Sequence, residues 1–263
     1  MKLTFLGTGS AGAKITPESE MPEGKRRCTA IIIDDDILID LAMQSFDFAQ
    51  KLGKDTSAIT DIFISHTHKD HYAKSAWLQF VSSAKHRINI WCHKGAVERL
   101  GLTEEEAALV NIHPVEAFDV WETAGMKVTA LAANHLVLDS AEQPLHYIFE
   151  RGGKRLFSGC DGGWFRADTW EYLRREDKTE RALFDGIILD STVGDKPGNF
   201  RIGTHNTVPM LRLLMAALEE NGMISSKTVC IASHMMRPHC EELVEEFREL
   251  GMTAAYDGMS IEI

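Results

Sequence analysis

The alternation of apolar and polar positions along this 263-residue chain predicts an α/β protein. Short apolar runs predict strands near residues 2–6, 28–33, 37–40, 59–65, 88–92, 126–132, 145–150, 154–159, 186–190, 228–232 and 259–263. Apolar residues recur at helical spacing near 43–52, 75–85, 206–220 and 239–249, and a short helix is predicted at 168–174. The second half repeats the strand-and-helix order of the first. This order favours two sheets flanked by helices, a four-layer αββα sandwich.

The apolar run at 59–64 leads into a dense group of metal-ligand side chains, namely His66, His68, Asp70 and His71. Imidazole nitrogen and carboxylate oxygen are ligands that zinc prefers and that manganese and iron accept. Because side chains alternate along an extended segment, His66 and His68 can point toward one ion. If the chain then turns into a helix, Asp70 and His71 are redirected toward a second ion. The pattern predicts a metal site; the alternative is a polar loop that is merely rich in histidine.

The spacing H-x-H-x-D-H resembles the signature of the metallo-β-lactamase superfamily of dinuclear metallohydrolases. The resemblance implies further ligands behind later strands: His135, an aspartate bridging both ions at Asp161, and His234. Two divalent ions, zinc or manganese with iron also suitable, are implied as cofactors. The implied ligands are His66, His68, Asp70, His71, His135, Asp161 and His234.

The opening of the chain resembles the same superfamily, so that the resemblance covers nearly all of it and implies one metallo-hydrolase domain, 1–263. The segment 3–10 resembles the first strand and a small-residue turn that runs close under the ions. Asp40 resembles the strand-end aspartate that supports the metal site, since a ligating imidazole needs its other N–H held by an acceptor. As an alternative, Asp40 caps the helix that begins near Gln44.

Charge arithmetic favours a phosphodiester as the substrate. Two dications supply four positive charges, Asp70 and Asp161 remove two, and a bridging hydroxide removes a third. A singly charged phosphodiester would neutralise the remaining charge, whereas a neutral ester or lactam would gain less. The charge argument does not exclude carbonyl substrates, because metal centres of this kind also polarise carbonyl oxygens.

The segment 204–207, before the helix near 206–220, resembles the branch of the superfamily that contains the phosphoribosyl cyclic phosphodiesterase of carbon-phosphorus lyase pathways. The closing segment 256–261 resembles the same branch. We therefore predict catalytic roles for His205, as the general acid that protonates the departing alkoxide, and for Asp70. The alternative for His205 is a helix cap. Arg201 either binds a phosphate oxygen or is a solvated surface residue.

One departure limits this resemblance. That phosphodiesterase carries a closely spaced cysteine cluster for a structural zinc in its N-terminal region, whereas between Gly9 and Thr29 this chain offers only Cys28. The segment 14–27 is instead predicted to be a mobile surface loop near the mouth of the site. The alternative functions are a ribonuclease Z-like RNA phosphodiesterase, a thioesterase or lactonase-type carbonyl hydrolase, and a binding protein without catalysis.

Composition narrows the choice of partners. A net charge of −11 argues against nucleic acid, and only 28 residues separate Asp161 from Asp190, too few for a transfer-RNA-binding arm. No apolar run approaches the roughly 18 residues of a membrane span, and the N-terminus lacks a secretory apolar segment. Five cysteines without close pairs suit a reducing cytoplasm. We expect a cytoplasmic enzyme acting on a small anionic phosphodiester, with a homodimer left open.

Overall fold

A computed structural model describes residues 1–10, 25–138, 140–175, 183–195 and 199–263. Within these ranges the strands are β1 (Lys2–Gly7), β2 (Ala30–Ile33), β3 (Ile37–Ile39), β4 (Asp61–Phe63), β5 (Ile88–His93), β6 (Val110–Val115), β7 (Val120–Thr123), β8 (Met126–Ala132), β9 (Leu145–Arg151), β10 (Lys154–Gly159), β11 (Gly186–Asp190), β12 (Val229–Ser233), β13 (Thr253–Ala254) and β14 (Ser260–Glu262). The α-helices are α1 (Ser45–Lys51), α2 (Lys74–Ser83), α3 (Glu104–Ala107), α4 (Ala167–Arg175), α5 (Val208–Glu220) and α6 (Glu241–Glu249). Short 3₁₀ helices lie at Thr56–Ala58, Lys94–Leu100 and Phe200–Gly203.

The strands form two mixed sheets. The described strands of the first sheet have the order β14-β1-β2-β3-β4-β5-β6, and those of the second have the order β13-β12-β11-β10-β9-β8-β7. In the first sheet β3 to β6 run parallel, and in the second β10 to β13 run parallel. The chain thus completes most of the first sheet before it begins the second, and among the described strands β14 alone returns to the first sheet.

Three apolar clusters define the layers of the molecule. The cluster between the sheets joins side chains such as Phe5 of β1 to Phe149 of β9. A second cluster packs α2, through Trp77, against the outer face of the first sheet. A third packs α5 and α6, through Leu214 and Phe247, against the outer face of the second. This arrangement confirms the predicted four-layer αββα sandwich, and none of the helices described is long and apolar enough to cross a bilayer.

Strand direction brings the predicted site residues to one edge of the sandwich. In the second sheet β8 and β10 both run antiparallel to β9, so they end at the same edge, as do β11 and β12. His135, Asp161 and His234 follow β8, β10 and β12, while Asp40 and His66 follow β3 and β4 of the first sheet. Ligands commonly gather at such strand ends in open sheets.

The predicted elements are confirmed within a few residues, and the strands that sequence patterning missed lie at sheet edges. β6, β7 and β13 are the edge positions of their sheets, and much of β6 and β7 is only half-buried. An edge strand therefore lacks a strong apolar signal, and β6 even contains Pro114, which an edge tolerates.

The prediction of a mobile loop over 14–27 falls largely outside the described residues, and it is wrong for Arg26. The guanidinium of this residue is buried and donates from Nη1 to Thr8 Oγ1 at 2.7 Å and to the Ala255 carbonyl at 2.6 Å. Its Nε donates to the Arg237 carbonyl at 2.7 Å. Arg26 therefore fixes this part of the chain beside the first turn.

The end of β1, at Gly7, packs tightly against the main chain of a neighbouring segment. A Cβ built on Gly7 would lie 1.8 Å from the Cys28 carbonyl oxygen, so that main chain would have to move. We expect Gly7→Ala to lower the free energy of unfolding by about 1–3 kcal/mol or more, the usual cost of overpacking. Urea denaturation of the full chain measures this change. Gly203→Ala is the matched control, because a Cβ there meets no atom within 4 Å; equal losses in both variants would contradict the steric explanation.

Candidate metal centre

The loop between β4 and α2 carries the first group of predicted ligands. The main-chain N–H of His71 and that of Tyr72 both donate to the His68 carbonyl, at 2.9 and 2.8 Å. This tight turn, rather than a helix, separates His66 and His68 from Asp70 and His71, since α2 begins only at Lys74. The redirection of the second pair is therefore as predicted, but its cause is different.

Asp161 occupies the middle of the cluster. Its Oδ2 lies 3.3 Å from His66 Nε2, 3.2 Å from His71 Nε2 and 3.6 Å from His234 Nε2. Its Oδ1 lies 3.4 Å from His135 Nδ1. The carboxylate thus faces imidazoles from both sheets, as a bridging ligand must.

Two groups of ligand atoms share Asp161. We call His66, His68 and His135 with Asp161 the first half-site, and Asp70, His71 and His234 with Asp161 the second half-site. Within each group the ligand atoms lie within 4.8 Å of one another. All seven residues predicted as ligands therefore converge, and a third such group adds Asp190 and His205.

Carboxylates hold the outer nitrogens of the second half-site. His71 Nδ1 lies 2.7 Å from Asp40 Oδ2, and His234 Nδ1 lies 3.0 Å from Asp190 Oδ2. If each Nδ1–H donates to its carboxylate, the Nε2 atoms carry lone pairs, and these two atoms face each other at 3.1 Å. Facing lone pairs repel unless a cation lies between them. The donor set therefore fits a bound metal ion.

Two unsatisfied polar atoms support the same conclusion. Buried His135 Nδ1 and Asp161 Oδ1 have no hydrogen bond of acceptable geometry, although Asp161 Oδ1 is 3.0 Å from His205 Nδ1. Buried polar atoms are normally paired, and an unpaired one often marks a missing ion. The cluster fits a metal site.

The pKa values of the cluster depend on which carboxylates each imidazole faces. Burial lowers the pKa of His66 to about 4 and that of His135 to about 3. Burial also lowers the pKa of His71 and His234, but Asp40 and Asp70 beside His71, and Asp161 beside His234, outweigh it. They raise the pKa of His71 well above its usual value and that of His234 to about 9. The carboxylates therefore stabilise positive charge in the second half-site.

The backbone is in the left-handed region at three strand ends of the site. Asp40 has φ 56°, Asp161 has φ 62° and His234 has φ 57°. Non-glycine residues rarely adopt such angles, and the cost is of order 1–3 kcal/mol at each position. Residues held in this way by the surrounding structure are typical of functional sites.

The cluster opens into a cavity of about 340 Å³. His205 lies on its wall, with Nδ1 3.0 Å from Asp161 Oδ1 and 3.3 Å from Asp190 Oδ2. Burial lowers the pKa of His205, but these two carboxylates outweigh burial and raise it to about 10. The two carboxylates therefore favour the protonated imidazole beside the cluster.

Two other predicted residues also reach this cavity. Ser10, at the end of the small-residue turn, is part of its wall, as is Arg201. Arg201 Nη1 lies 2.9 Å from Met236 Sδ. Arg201 thus lies at the cavity, and whether it binds a phosphate oxygen or is a solvated residue stays a prediction.

Sequence patterning missed three residues that support the cluster. Asp190 ends a buried apolar strand, as Asp40 does, and this shared position is a signal that could have identified it. Glu142 accepts the main-chain N–H of Thr67 at 2.8 Å and the Thr67 hydroxyl at 2.5 Å, which fixes the residue between His66 and His68. His146 is buried beneath Asp161, with Nε2 3.3 Å from the Asp161 carbonyl. For Glu142 and His146 no local pattern gave a signal, because their partners lie 75 and 15 residues away.

Comparison with known proteins agrees with this architecture. A family model described as a beta-lactamase superfamily domain matches residues 35–251. A search of curated proteins found no match.

Several solved structures share the fold. The metallo-beta-lactamase fold protein YhfI from Bacillus subtilis superposes with a TM-score of 0.72 at 13% identity, over 100% of this chain and 98% of that one. A diphosphatase from the PhnP family gives a TM-score of 0.68 at 20% identity, over 100% and 97% of the two chains. The short form of human tRNase Z gives 0.69 at 17% identity, over 100% and 99%.

Proposed function

This chain belongs to the beta-lactamase superfamily, whose family model covers most of its length, and from that premise we propose that it is a metal-dependent phosphodiesterase. The ligands would be the seven residues of the two half-sites, holding two divalent ions. Zinc and manganese suit these nitrogen and oxygen donors, and iron is also accepted. Ions bound there would supply an activated water and would polarise a phosphoryl oxygen.

The observation that carries this proposal is the carboxylate of Asp161 between imidazoles of both sheets. Its Oδ2 is 3.3 Å from His66 Nε2 and 3.2 Å from His71 Nε2, at the floor of the cavity. A single carboxylate placed between two ligand groups is what a pair of neighbouring ions needs.

The charges around the cavity support an anionic substrate. Lys69 and Arg201 are part of its wall, and neither forms an ion pair with any residue that the structure describes. Other basic side chains among the described residues do have a carboxylate partner, as Lys54 has in Asp35 and Arg151 in Asp36. Unpaired cations at the mouth would attract a phosphate before it reaches the cluster.

The position of His205 supports a general-acid role in the same reaction. Asp161 and Asp190 hold Nδ1, which leaves the rest of the ring to face the cavity of which His205 is a wall residue. A protonated imidazole there could donate its proton to a departing alkoxide. A small phosphodiester suits a cavity of about 340 Å³ better than a folded RNA does.

A panel of substrates tests the proposal. We expect the protein loaded with zinc or manganese to hydrolyse bis(p-nitrophenyl) phosphate and 2′,3′-cyclic nucleotides well above its rate on p-nitrophenyl acetate, thioesters and lactones. The physical reason is that a singly charged diester neutralises the centre, whereas a neutral carbonyl does not. Initial rates with each substrate, before and after chelation, provide the measurement. Faster turnover of the carbonyl substrates would favour the thioesterase or lactonase alternative, and faster cleavage of precursor transfer RNA would favour the ribonuclease Z alternative.

A further inference from the structure

The two half-sites differ in what lies behind their imidazoles. In the second half-site both outer nitrogens face buried carboxylates, Asp40 behind His71 at 2.7 Å and Asp190 behind His234 at 3.0 Å. Both carboxylates are completely buried. A carboxylate in this position fixes the ring and makes the ligating nitrogen more basic.

In the first half-site, within the described residues, no buried carboxylate outside the ligand set directly contacts an imidazole. His66 Nδ1 contacts the Ser65 hydroxyl at 3.1 Å, and that hydroxyl donates to Asp40 Oδ2 at 2.9 Å, so Asp40 reaches His66 only through Ser65. Both nitrogens of His135 face other ligands of the cluster, Nδ1 at 3.4 Å from Asp161 Oδ1 and Nε2 at 3.2 Å from His68 Nδ1, so neither has a separate carboxylate behind it. The described contacts of His68 involve Nδ1 alone. The loop that carries His66 and His68 is instead held in place by two hydrogen bonds, which the main-chain N–H and the hydroxyl of Thr67 donate to Glu142.

The half-sites also differ in negative charge. An ion in the second half-site would contact Asp70 and Asp161 and would have Asp40 and Asp190 behind its imidazoles. An ion in the first half-site would contact Asp161 alone among carboxylates, since its other ligands are His66, His68 and His135. Coulomb attraction between buried charges is strong because the dielectric constant of the interior is low. The larger negative charge therefore favours cation binding in the second half-site.

From these contacts we propose that the two half-sites fill in a fixed order, the second half-site first and more tightly, and the first half-site afterwards. This inference rests on the proposed function for its ligand set. Asp40 and Asp190 are then positioning residues that set the affinity of the ion in the second half-site. The ion in the first half-site is held more weakly, because Asp161 already shares its charge with the ion in the second half-site.

Calorimetric titration of the metal-free full chain with Zn²⁺ or Co²⁺ tests the order directly. We expect two binding steps, of which the tighter is lost in Asp70→Asn and retained in His68→Ala. Asp40→Asn and Asp190→Asn keep a hydrogen-bond acceptor but remove the charge, and we expect each to weaken the tighter step by about 10–100-fold, the usual effect of such partners. Glu142→Gln is the matched control, because it removes a buried charge beside the first half-site and should leave the tighter step unchanged.

The possible outcomes separate this inference from the proposed function. A tighter step that is lost in His68→Ala, or two ions that bind with equal affinity, would overturn the order of filling while metal binding itself survives. Ordered filling with no phosphodiester hydrolysis would overturn only the proposed function. Failure of the metal-free protein to take up either ion would overturn both. If Asp40→Asn or Asp190→Asn does not fold, the two ligand variants still decide the order.

Discussion

Asp161→Asn is expected to reduce phosphodiester hydrolysis by at least about 10³-fold, at or above the upper end of the cost of one lost electrostatic contact. The reason is that one oxygen, Oδ2, faces His66, His71 and His234 together, so the substitution removes charge from both half-sites at once. We also expect the bound metal to fall to one ion per chain or fewer. Elemental analysis and initial rates at saturating zinc provide the two measurements.

Asparagine is the informative replacement because it tolerates the left-handed backbone of Asp161, where φ is 62°. The fold should therefore survive, as circular dichroism would verify. Glu219→Ala, on an exposed face of α5, serves as the control and should keep full metal content and rate. Normal metal content in Asp161→Asn would show that this carboxylate is not shared between two ions.

His205→Ala is expected to lower turnover by about 10² to 10⁴, the usual cost of losing a general acid, with the metal content unchanged. His205 contacts the cluster only through Asp161 and Asp190, and neither half-site uses it as a ligand in our assignment. Because the proton goes to the leaving group, the loss should shrink for a substrate whose leaving group is a good one, such as p-nitrophenolate.

The comparison of leaving groups separates a proton donor from a phosphate contact. A contact would raise KM equally for all diesters, whereas a proton donor would lower kcat most for poor leaving groups. The control is His86→Ala, an exposed histidine whose Nε2 lies 2.9 Å from the Ile59 carbonyl oxygen. A loss of metal in His205→Ala would instead assign this residue to the ligand set.

The sequence predicted the sandwich because its central strands are continuous apolar runs, such as 186–190, that sit between two layers and need apolar neighbours on both faces. Edge strands such as β6 have one solvated side and mixed composition, so patterning did not identify them. The wrong expectation at Arg26 has a similar cause. A basic residue suggests solvent, and only the tertiary structure provides the carbonyls of Arg237 and Ala255 that allow its burial.

Four of the residues predicted as ligands are adjacent in sequence, the other three were implied by the resemblance at strand ends, and strand direction brings all seven together. The residues that support the ligands were harder to find. Asp40 was identified through the resemblance, whereas Asp190 and Glu142 act through contacts with His234 and Thr67 that are remote along the chain. Local spacing carries no information on such pairs.

The first sheet and its loops provide Asp40, His66, His68, Asp70 and His71, whereas the second provides His135, Asp161, Asp190, His205 and His234. Any cation bound between them is therefore a cross-link joining the two halves of the molecule, in a protein whose five cysteines are all free thiols. Because a ligand that binds only the folded state stabilises it by mass action, heat tolerance and catalysis would depend on the same ions. Removing the ions with a chelator would then lower the stability of the contact between the two sheets and also abolish hydrolysis.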